Sequence, residues 1–245
     1  MTTAILSALA EEQQGLLELL QGARRVQRAG RDFWLGELHG RPVVLALSRI
    51  GKVAAATTAT TLIEAFDARR LVFTGVAGGI APGVEVGDVV VAQAFVQHDM
   101  DASPLFPRYQ VPLYGRERFP GDGPLGEALL AAARAGLGRL GLQAAVHHGL
   151  IASGDRFVSA ADEARALHAA LTNAGHPPLA VEMEGAAVAQ VCHDYGIPFA
   201  AMRTISDRAD DTAHVDFPQF VSTVASRYAL AIIDEFVRGL GIRRA

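Results

Sequence analysis

The chain has 245 residues, of which 50% are hydrophobic and 20% are charged, and this composition is typical of a globular protein rather than a disordered one. The net charge is −4 without any block of like charge, which argues against a nucleic acid or an anionic membrane as the main partner. The single cysteine, Cys192, excludes an intramolecular disulfide and a cysteine-based zinc site. The N-terminus lacks the basic flank of a signal peptide, and no stretch approaches the roughly 20 apolar residues that span a bilayer. We therefore expect a cytoplasmic protein with no membrane partner.

Strand-like and helix-like segments alternate from end to end. The predicted strands cover residues 3–9, 41–48, 71–76, 86–98, 146–153, 179–182 and 199–206. The predicted helices cover residues 11–21, 52–66, 125–140 and about 217–240, and a helix is also expected after each of the strands that end at 153 and 182. Such alternation predicts a single domain over residues 1–245 with a three-layer α/β/α architecture, because helices must cover both faces of the sheet.

The least regular segment runs from Met100 to Pro124. It holds five of the 11 prolines, a density that forbids a regular helix. Elements of the same kind flank it, so it is predicted to be a long loop inside the domain, and such loops are often functional. A soluble monomer rarely exposes many apolar side chains together, so those of this loop are expected to pack on their own subunit or across a two-fold axis. They are Leu105, Phe106, Pro107, Tyr109 and Tyr114.

Polar residues follow three of the predicted strands, at the edge of the sheet where α/β proteins bind ligands. They are Glu11 and Glu12, Glu182 and Glu184, and Ser206 and Asp207. Carboxylates from three strands are thus brought toward one rim. Each acid also has a structural explanation, since acids at helix starts interact favourably with the helix dipole and Asp207 can cap a turn.

Three charged residues stand among neighbours that favour burial. Glu182 and Glu184 lie in LAVEMEGAAVAQV, and Arg203 lies in FAAMRTIS. A buried charge requires a partner, and Glu12 is one plausible partner for Arg203. The single lysine, Lys52, is attributed to composition rather than to mechanism.

The glycine-rich segment TGVAGGIAPG has neither the GxGxxG spacing nor the lysine of a phosphate-binding loop. A tight turn is the structural explanation, and backbone contact of Ala77 and Gly78 with a small neutral ligand is the favoured one. His98 and Asp99 lack a third ligand at metal spacing and are interpreted as loop-packing residues.

Five segments, in this order, resemble the 5′-methylthioadenosine/S-adenosylhomocysteine nucleosidases of the purine nucleoside phosphorylase superfamily. They are SRIGKVAAA at 48–56, TGVAGGIAPGVEVGDVVV at 74–91, SGDRFV at 153–158, VEMEGAAVA at 181–189 and RTISDRAD at 203–210. The resemblance covers nearly the whole chain, and VEMEGAA followed by RTISD is highly specific. It implies a nucleoside phosphorylase-like fold with a central mixed sheet.

The resemblance also implies catalytic and ribose-binding roles. Glu12 matches the acid that activates the attacking water, and Asp207 matches the acid that protonates adenine N7, with Ser206 beside it. Glu184 matches the carboxylate that binds the ribose hydroxyls, and Met183 packs on the ribose. This division of labour suits a reaction that builds positive charge on the sugar and negative charge on the departing base.

The remaining pocket residues follow from the same resemblance. Phe157, which on spacing alone is more typical of a core residue, matches the ring stacked on adenine, and the backbone of Val158 reads the base edge. Arg203 matches a residue near the water. Ile50 and Phe217 match the pocket for the 5′-thio substituent.

The family is homodimeric, so Leu105 or Phe106 would contact the site of the partner subunit. The chain departs from the family at Val76, where well-known members have serine, and in the later part of MDASPLFPRYQVPLYG. Both departures leave the reaction type intact and bear on the 5′-substituent.

The sequence therefore predicts hydrolysis of 5′-methylthioadenosine and S-adenosylhomocysteine to adenine and a 5-thioribose product. The nucleoside is the only small-molecule partner implied, and neither a metal nor an organic cofactor is needed. The alternatives are a hydrolase or phosphorylase of another purine nucleoside, such as futalosine, and a nucleoside-binding relative without catalysis. Glu12, Glu184 and Asp207 together argue against the last, since binding alone would not require both an acid and a base.

Overall fold

Strands and helices alternate through the part of the chain that the computed structural model describes, residues 1–209 and 220–240. The strands are β1 (Thr2–Ser7), β2 (Gln21–Arg28), β3 (Arg31–Leu38), β4 (Arg41–Leu47), β5 (Ala68–Phe73), β6 (Val76–Gly79), β7 (Val89–Gln97), β8 (Arg118–Pro120), β9 (Val146–Ser153), β10 (Pro178–Glu182) and β11 (Phe199–Asp207). The helices are α1 (Ala10–Leu19), α2 (Lys52–Phe66), α3 (Gly123–Arg139), α4 (Ala161–Asn173), α5 (Gly185–Tyr195) and α6 (Ser226–Gly239). A π-helical turn at Val221–Ala225 leads directly into α6.

The strands form one mixed sheet in the order β2-β3-β4-β1-β5-β11-β6-β10-β9-β7-β8. Strand β11 pairs with three other strands. It is parallel to β5 and β6 and antiparallel to β7. The pairing of β11 with β7 closes β11, β6, β10, β9 and β7 into a ring. All nine residues of β11 are buried as a result, so its polar residues must find partners inside the protein.

Helices cover both faces of the sheet, as the alternation predicts. Along β1, Ala4 and Leu6 belong to one hydrophobic core and Ile5 to another, since successive side chains of a strand point to opposite faces. The first core includes residues of α2 and α5, and the second includes residues of α1, α3 and α6. The predicted three-layer architecture with a central mixed sheet is thus confirmed.

Three parts of the sheet were not predicted from the sequence. The hairpin β2–β3 begins with a strand, QGARRVQR, that is almost entirely exposed, so it lacks the apolar signal of a strand. Strand β8 is only three residues long and lies inside the segment predicted as an irregular loop. The glycine-rich segment, for which a tight turn is the structural explanation, instead forms β6, which pairs with β10 and β11.

The glycines of β6 are explained by close packing rather than by turning. A Cβ at Gly79 would lie 3.0 Å from Ile205 Cγ2, and a Cβ at Gly78 would lie 2.9 Å from Ala209 Cβ. Such distances leave room only for a hydrogen, so glycine lets β6 approach the chain around the end of β11.

The segment from Met100 to Pro124 divides into buried and exposed parts. Tyr109 is buried within its own chain, and the Tyr114 ring packs edge-on against Phe119. Leu105 and Leu113, in contrast, are 84% and 93% exposed. Within the described residues, no helix is both long enough and apolar enough to cross a bilayer.

Candidate active site

A cavity of about 300 Å³ lies where the strands of the sheet end. It is bordered by residues that follow β1, β4, β9 and β10, by the end of β11 and by β6. The predicted site residues in its lining are Ile50, Ala77, Gly78, Phe157, Val158, Glu182, Met183, Glu184, Ser206 and Asp207. Glu12 and Arg203 are buried next to this lining rather than in it. Phe217 lies outside the described residues.

Glu12 is the third residue of α1, directly after β1. Its Oε2 accepts hydrogen bonds from the backbone N–H of Ala8, at 2.9 Å, and of Leu9, at 3.0 Å, and both donors line the cavity. Its Oε1 is buried and has no hydrogen-bond partner among the described residues. One oxygen thus fulfils the structural role of a helix cap, while the other remains available for a ligand.

Burial governs the protonation of Glu12. It raises the pKa of the carboxyl from 4.5 to about 7, although the hydrogen bond from Leu9 and the positive charge of Arg203 act in the opposite direction. A carboxylate with a pKa near neutrality is suited to accept a proton in a reaction at physiological pH. Glu11, by contrast, is exposed.

The plausible pairing of Arg203 with Glu12 is wrong, because Arg203 pairs with Glu182. Both side chains are almost fully buried, and Arg203 Nη2 donates to Glu182 Oε2 over 2.6 Å. The Arg203 guanidinium also lies 4.1 Å from the centre of the Phe73 ring. Glu182 further accepts hydrogen bonds from the Ser153 hydroxyl and from the Gly185 N–H. This network satisfies the buried ion pair, and only the longer-range field of Arg203 reaches Glu12.

Glu184 stands at the N-cap of α5 and lines the cavity. Its Oε1 accepts a hydrogen bond of 2.8 Å from the backbone N–H of Gly51, in the loop between β4 and α2. Burial, reinforced by the negative charge of Glu182, raises the pKa of Glu184 to about 7. The hydrogen bond from Gly51 therefore fixes the position of Glu184, and the carboxyl group can still accept hydrogen bonds from the hydroxyl groups of a ligand.

Asp207 is the last residue of β11 and lines the cavity together with Ser206. Its Oδ2 accepts a hydrogen bond from the Ser206 hydroxyl and its Oδ1 from the Ala209 N–H, both at 2.7 Å. Oδ1 would also lie 3.0 Å from a Cβ at Gly78, so β6 must carry a glycine beside it. The plane of this carboxyl group is consequently fixed at the cavity wall.

Apolar side chains complete the cavity. The Phe157 side chain is 45% exposed, whereas Val158 beside it is buried. Ile50 is 59% exposed on the opposite loop, which follows β4. A half-exposed aromatic ring that lines a cavity can contact a planar ligand there, which a fully buried core ring cannot do.

Known protein families and solved structures resemble this chain over nearly its whole length. A family model described as the phosphorylase superfamily matches residues 2–238. The chain belongs to the phosphorylase superfamily. Within it, the chain is 38% identical, with a TM-score of 0.88, to the 5′-methylthioadenosine/S-adenosylhomocysteine nucleosidase of Neisseria meningitidis in complex with methylthio-immucillin-A, and the match covers 98% of this chain and 99% of that one.

Two further solved structures show the same degree of likeness. The corresponding nucleosidase of S. pneumoniae is 32% identical over 98% of this chain and 100% of its own, with a TM-score of 0.86. A futalosine hydrolase mutant of Helicobacter pylori is 31% identical over the same shares, with a TM-score of 0.85. The resemblance to the nucleosidases is thereby confirmed, and the chain groups with N-ribosyl hydrolases of the superfamily.

Some site residues of this superfamily member carry no signal in the sequence. The N–H groups of Ala8, Leu9 and Gly51 act through the backbone, so their side-chain types do not reveal them. Ser153 bridges Glu182 and the N–H of Ala186, and its place at the start of SGDR is the one available hint. These contacts depend on which loops lie next to each other, and the topology of the sheet determines that arrangement.

Proposed function

We propose that this superfamily member hydrolyses the N-glycosidic bond of 5′-methylthioadenosine and S-adenosylhomocysteine, releasing adenine and the 5-thioribose product. The observation that carries the proposal is the grouping of Glu12, Glu184 and Asp207 around one cavity of about 300 Å³. Each comes from a different part of the fold, and each is held by hydrogen bonds from its neighbours. The reaction requires a base, an acid and an anchor for the sugar, and three carboxylates supply these roles.

The proposed roles follow from the surroundings of each group. Glu12 accepts a proton from water through its free Oε1, aided by a pKa of about 7. Asp207 donates a proton to N7 of the departing base, so that the base leaves neutral. Glu184 holds the ribose hydroxyls, and its negative charge favours the positive charge that develops on the sugar. Arg203, already paired with Glu182, contributes a positive field beside Glu12.

The other contacts are assigned to the base and the 5′-group. We propose that Phe157 stacks on adenine, that the backbone of Val158 meets its edge, and that Met183 packs on the ribose. Ala77 and Gly78 of β6 offer a flat wall to the ligand, and Ile50 borders the 5′-thio group. Phe217 is assigned to the same 5′-thio pocket from the resemblance alone.

Futalosine is the second candidate substrate, because the futalosine hydrolase mutant of Helicobacter pylori is nearly as similar to this chain as the other solved nucleosidases. Val76, which lines the cavity, bears on the choice through the 5′-substituent. The deciding experiment measures release of the free purine base from methylthioadenosine, S-adenosylhomocysteine and futalosine under identical conditions. Higher kcat/KM for the first two supports the proposal, and preference for futalosine contradicts it.

Water rather than phosphate is the expected nucleophile. A phosphate beside Glu12 would face a buried carboxylate, and Arg203 is already paired with Glu182, so its charge offsets only part of the repulsion. Turnover is therefore expected to be equal in phosphate buffer and in a phosphate-free buffer of the same pH and ionic strength. The sugar product should be unphosphorylated, and detection of a ribose 1-phosphate by mass spectrometry would overturn this assignment.

We further propose a homodimer whose sites are completed by the partner's loop. Leu105 and Leu113 are 84% and 93% exposed, and a second subunit would remove this apolar surface from water. Phe106→Ala is then expected to raise KM for methylthioadenosine by about tenfold, the effect of one lost apolar contact.

A matched control is Leu19→Ala, which truncates an exposed apolar residue at the far end of α1, outside the loop. It is expected to leave KM unchanged. Sedimentation of the wild-type protein at assay concentration is the companion measurement. A fully active monomer would show that Leu105 and Phe106 act only within their own chain.

A further inference from the structure

Three segments of the chain, two of which border the cavity, are joined by a closed ring of hydrogen bonds. Lys52 Nζ donates to Asp99 Oδ1 over 2.6 Å, and Asp99 Oδ2 accepts from the Asp155 N–H over 2.9 Å. Asp155 Oδ1 in turn accepts from the Lys52 N–H over 2.7 Å. The ring therefore connects the start of α2, the segment after β7 and the segment after β9. Lys52 Nζ also donates to Gln97 Oε1 at 3.0 Å, so its charge is anchored at two points.

The residue before Lys52 carries the backbone contact to Glu184. Gly51 has a φ of 95°, a conformation that side chains disfavour, and its N–H donates to Glu184 Oε1. A Cβ at Gly51 would lie 3.2 Å from Asp155 Oδ1. The direction of the Gly51 N–H is consequently set by the same ring that joins Lys52 to Asp155.

The residues beside the ring are those that border the cavity. Ile50 precedes Gly51 on one loop, while Arg156 and Phe157 follow Asp155 on another, and all three line the cavity. The ring thus fixes the distance between the proposed 5′-thio wall and the proposed stacking ring. The ring gives Asp99 a larger role than the loop packing that the sequence suggests. It also gives a structural role to Lys52, the only lysine of the chain, which composition alone does not.

We propose that Lys52 is a positioning residue of the nucleoside site. Through Asp99 and Asp155, it holds the Gly51 N–H in its hydrogen bond to Glu184. The same ring keeps Ile50 and Phe157 at a fixed separation across the cavity. The proposal rests on the proposed function of this cavity, and Lys52 itself takes no part in the chemistry. Glu12 and Asp207 make none of the contacts of the ring. Loss of the ring should therefore weaken nucleoside binding much more than it slows the bound substrate.

Lys52→Met tests the proposal, because methionine retains the length of the side chain and removes its charge. We expect KM, and the Kd of a non-hydrolysable adenosine analogue, to rise about 10- to 100-fold, the usual effect of losing a hydrogen bond to a charged group. The expected change in kcat is less than threefold. Lys52→Arg should recover most of the affinity, since its guanidinium can still donate to Asp99.

Arg25→Met is the matched control. Arg25 forms an ion pair of 2.7 Å with Asp32 in the β2–β3 hairpin, and neither residue lines the cavity. Its KM and Kd should equal those of the wild type. If Lys52→Met does not fold, Asp155→Asn provides the same measurement, because it weakens the ring from another loop and is also expected to raise KM.

A merely structural role for Lys52 would lower the active fraction, and so kcat, with KM and analogue Kd unchanged. That pattern, or wild-type kinetics in folded Lys52→Met, would overturn the proposal. An inactive wild-type protein that releases no purine base from any of the nucleosides would instead contradict the proposed function. The two failures are therefore distinguishable.

Discussion

Asp207→Asn is expected to reduce kcat by about 10²- to 10⁴-fold, the usual contribution of a general acid, while the affinity for an adenosine analogue stays nearly unchanged. Asparagine has the shape of the aspartic acid, and its amide oxygen can still accept one of the hydrogen bonds from Ser206 and Ala209. It lacks the acidic proton that Asp207 gives to the departing base in the proposed mechanism. Single-turnover release of adenine measures the change in the chemical step directly.

Asp122→Asn provides the matched control for this substitution. Asp122 is the N-cap of α3, where its side chain accepts a hydrogen bond of 2.8 Å from the Leu125 N–H, and it is absent from the cavity lining. Asparagine caps helices as well as aspartate does, so both stability and turnover should be retained. Near wild-type turnover in a correctly folded Asp207→Asn variant would remove Asp207 from the mechanism.

The positions of the catalytic candidates could be predicted because the ends of the strands can be located in the sequence. Glu12, Glu184 and Asp207 each follow an apolar segment, and the carboxyl ends of such segments meet at one edge of an α/β sheet. The structure brings all three to the same cavity or to its immediate surroundings. The apolar neighbours of Glu182 and Arg203 likewise indicated buried charges, and both are buried.

The pairing of these charges could not be predicted, because it depends on the three-dimensional order of the strands. Glu182 ends β10 and Arg203 lies within β11, and β6 separates the two strands in the sheet. Because the strands close into a ring, both side chains join one buried hydrogen-bond network that includes Ser153. From the sequence, Glu12 is one plausible partner for Arg203, and only the fold shows that Arg203 pairs with Glu182 instead.

The glycine-rich strand β6 shows a different limit of sequence-based prediction. Glycine is typical of turns, so a tight turn is the structural explanation for VAGG, although backbone contact with a ligand is favoured over it. In the structure Gly78 and Gly79 are needed because Asp207, Ala209 and Ile205 pack directly against the backbone. Close approach and turning require the same residue type, and the sequence alone cannot separate them.

Glu12→Gln is expected to reduce turnover by about 10²- to 10⁴-fold, because the amide cannot accept a proton from water. In the proposed mechanism Glu12 must be ionised to act, and its pKa of about 7 places this ionisation near neutrality. Glu184, with a similar pKa, titrates over the same range. The wild-type kcat/KM should therefore fall as the pH is lowered through about 7, and a profile that stays flat down to pH 5 would contradict the role of Glu12 as the base.

The same substitution is expected to stabilise the fold above neutral pH. Burial raises the pKa of Glu12 from 4.5 to about 7, so between these values the unfolded chain has released the proton that the folded chain retains. Wild-type stability attributable to Glu12 consequently falls as the pH rises through this window, whereas glutamine does not titrate. The full shift corresponds to roughly 3 kcal/mol, which Glu12→Gln should recover above pH 7 and not below pH 4.5. The contribution of Glu184 is present in both proteins and largely cancels in the difference. Urea unfolding at several pH values measures that difference, and a variant less stable than the wild type at pH 8 would show that the buried carboxylate is not destabilising.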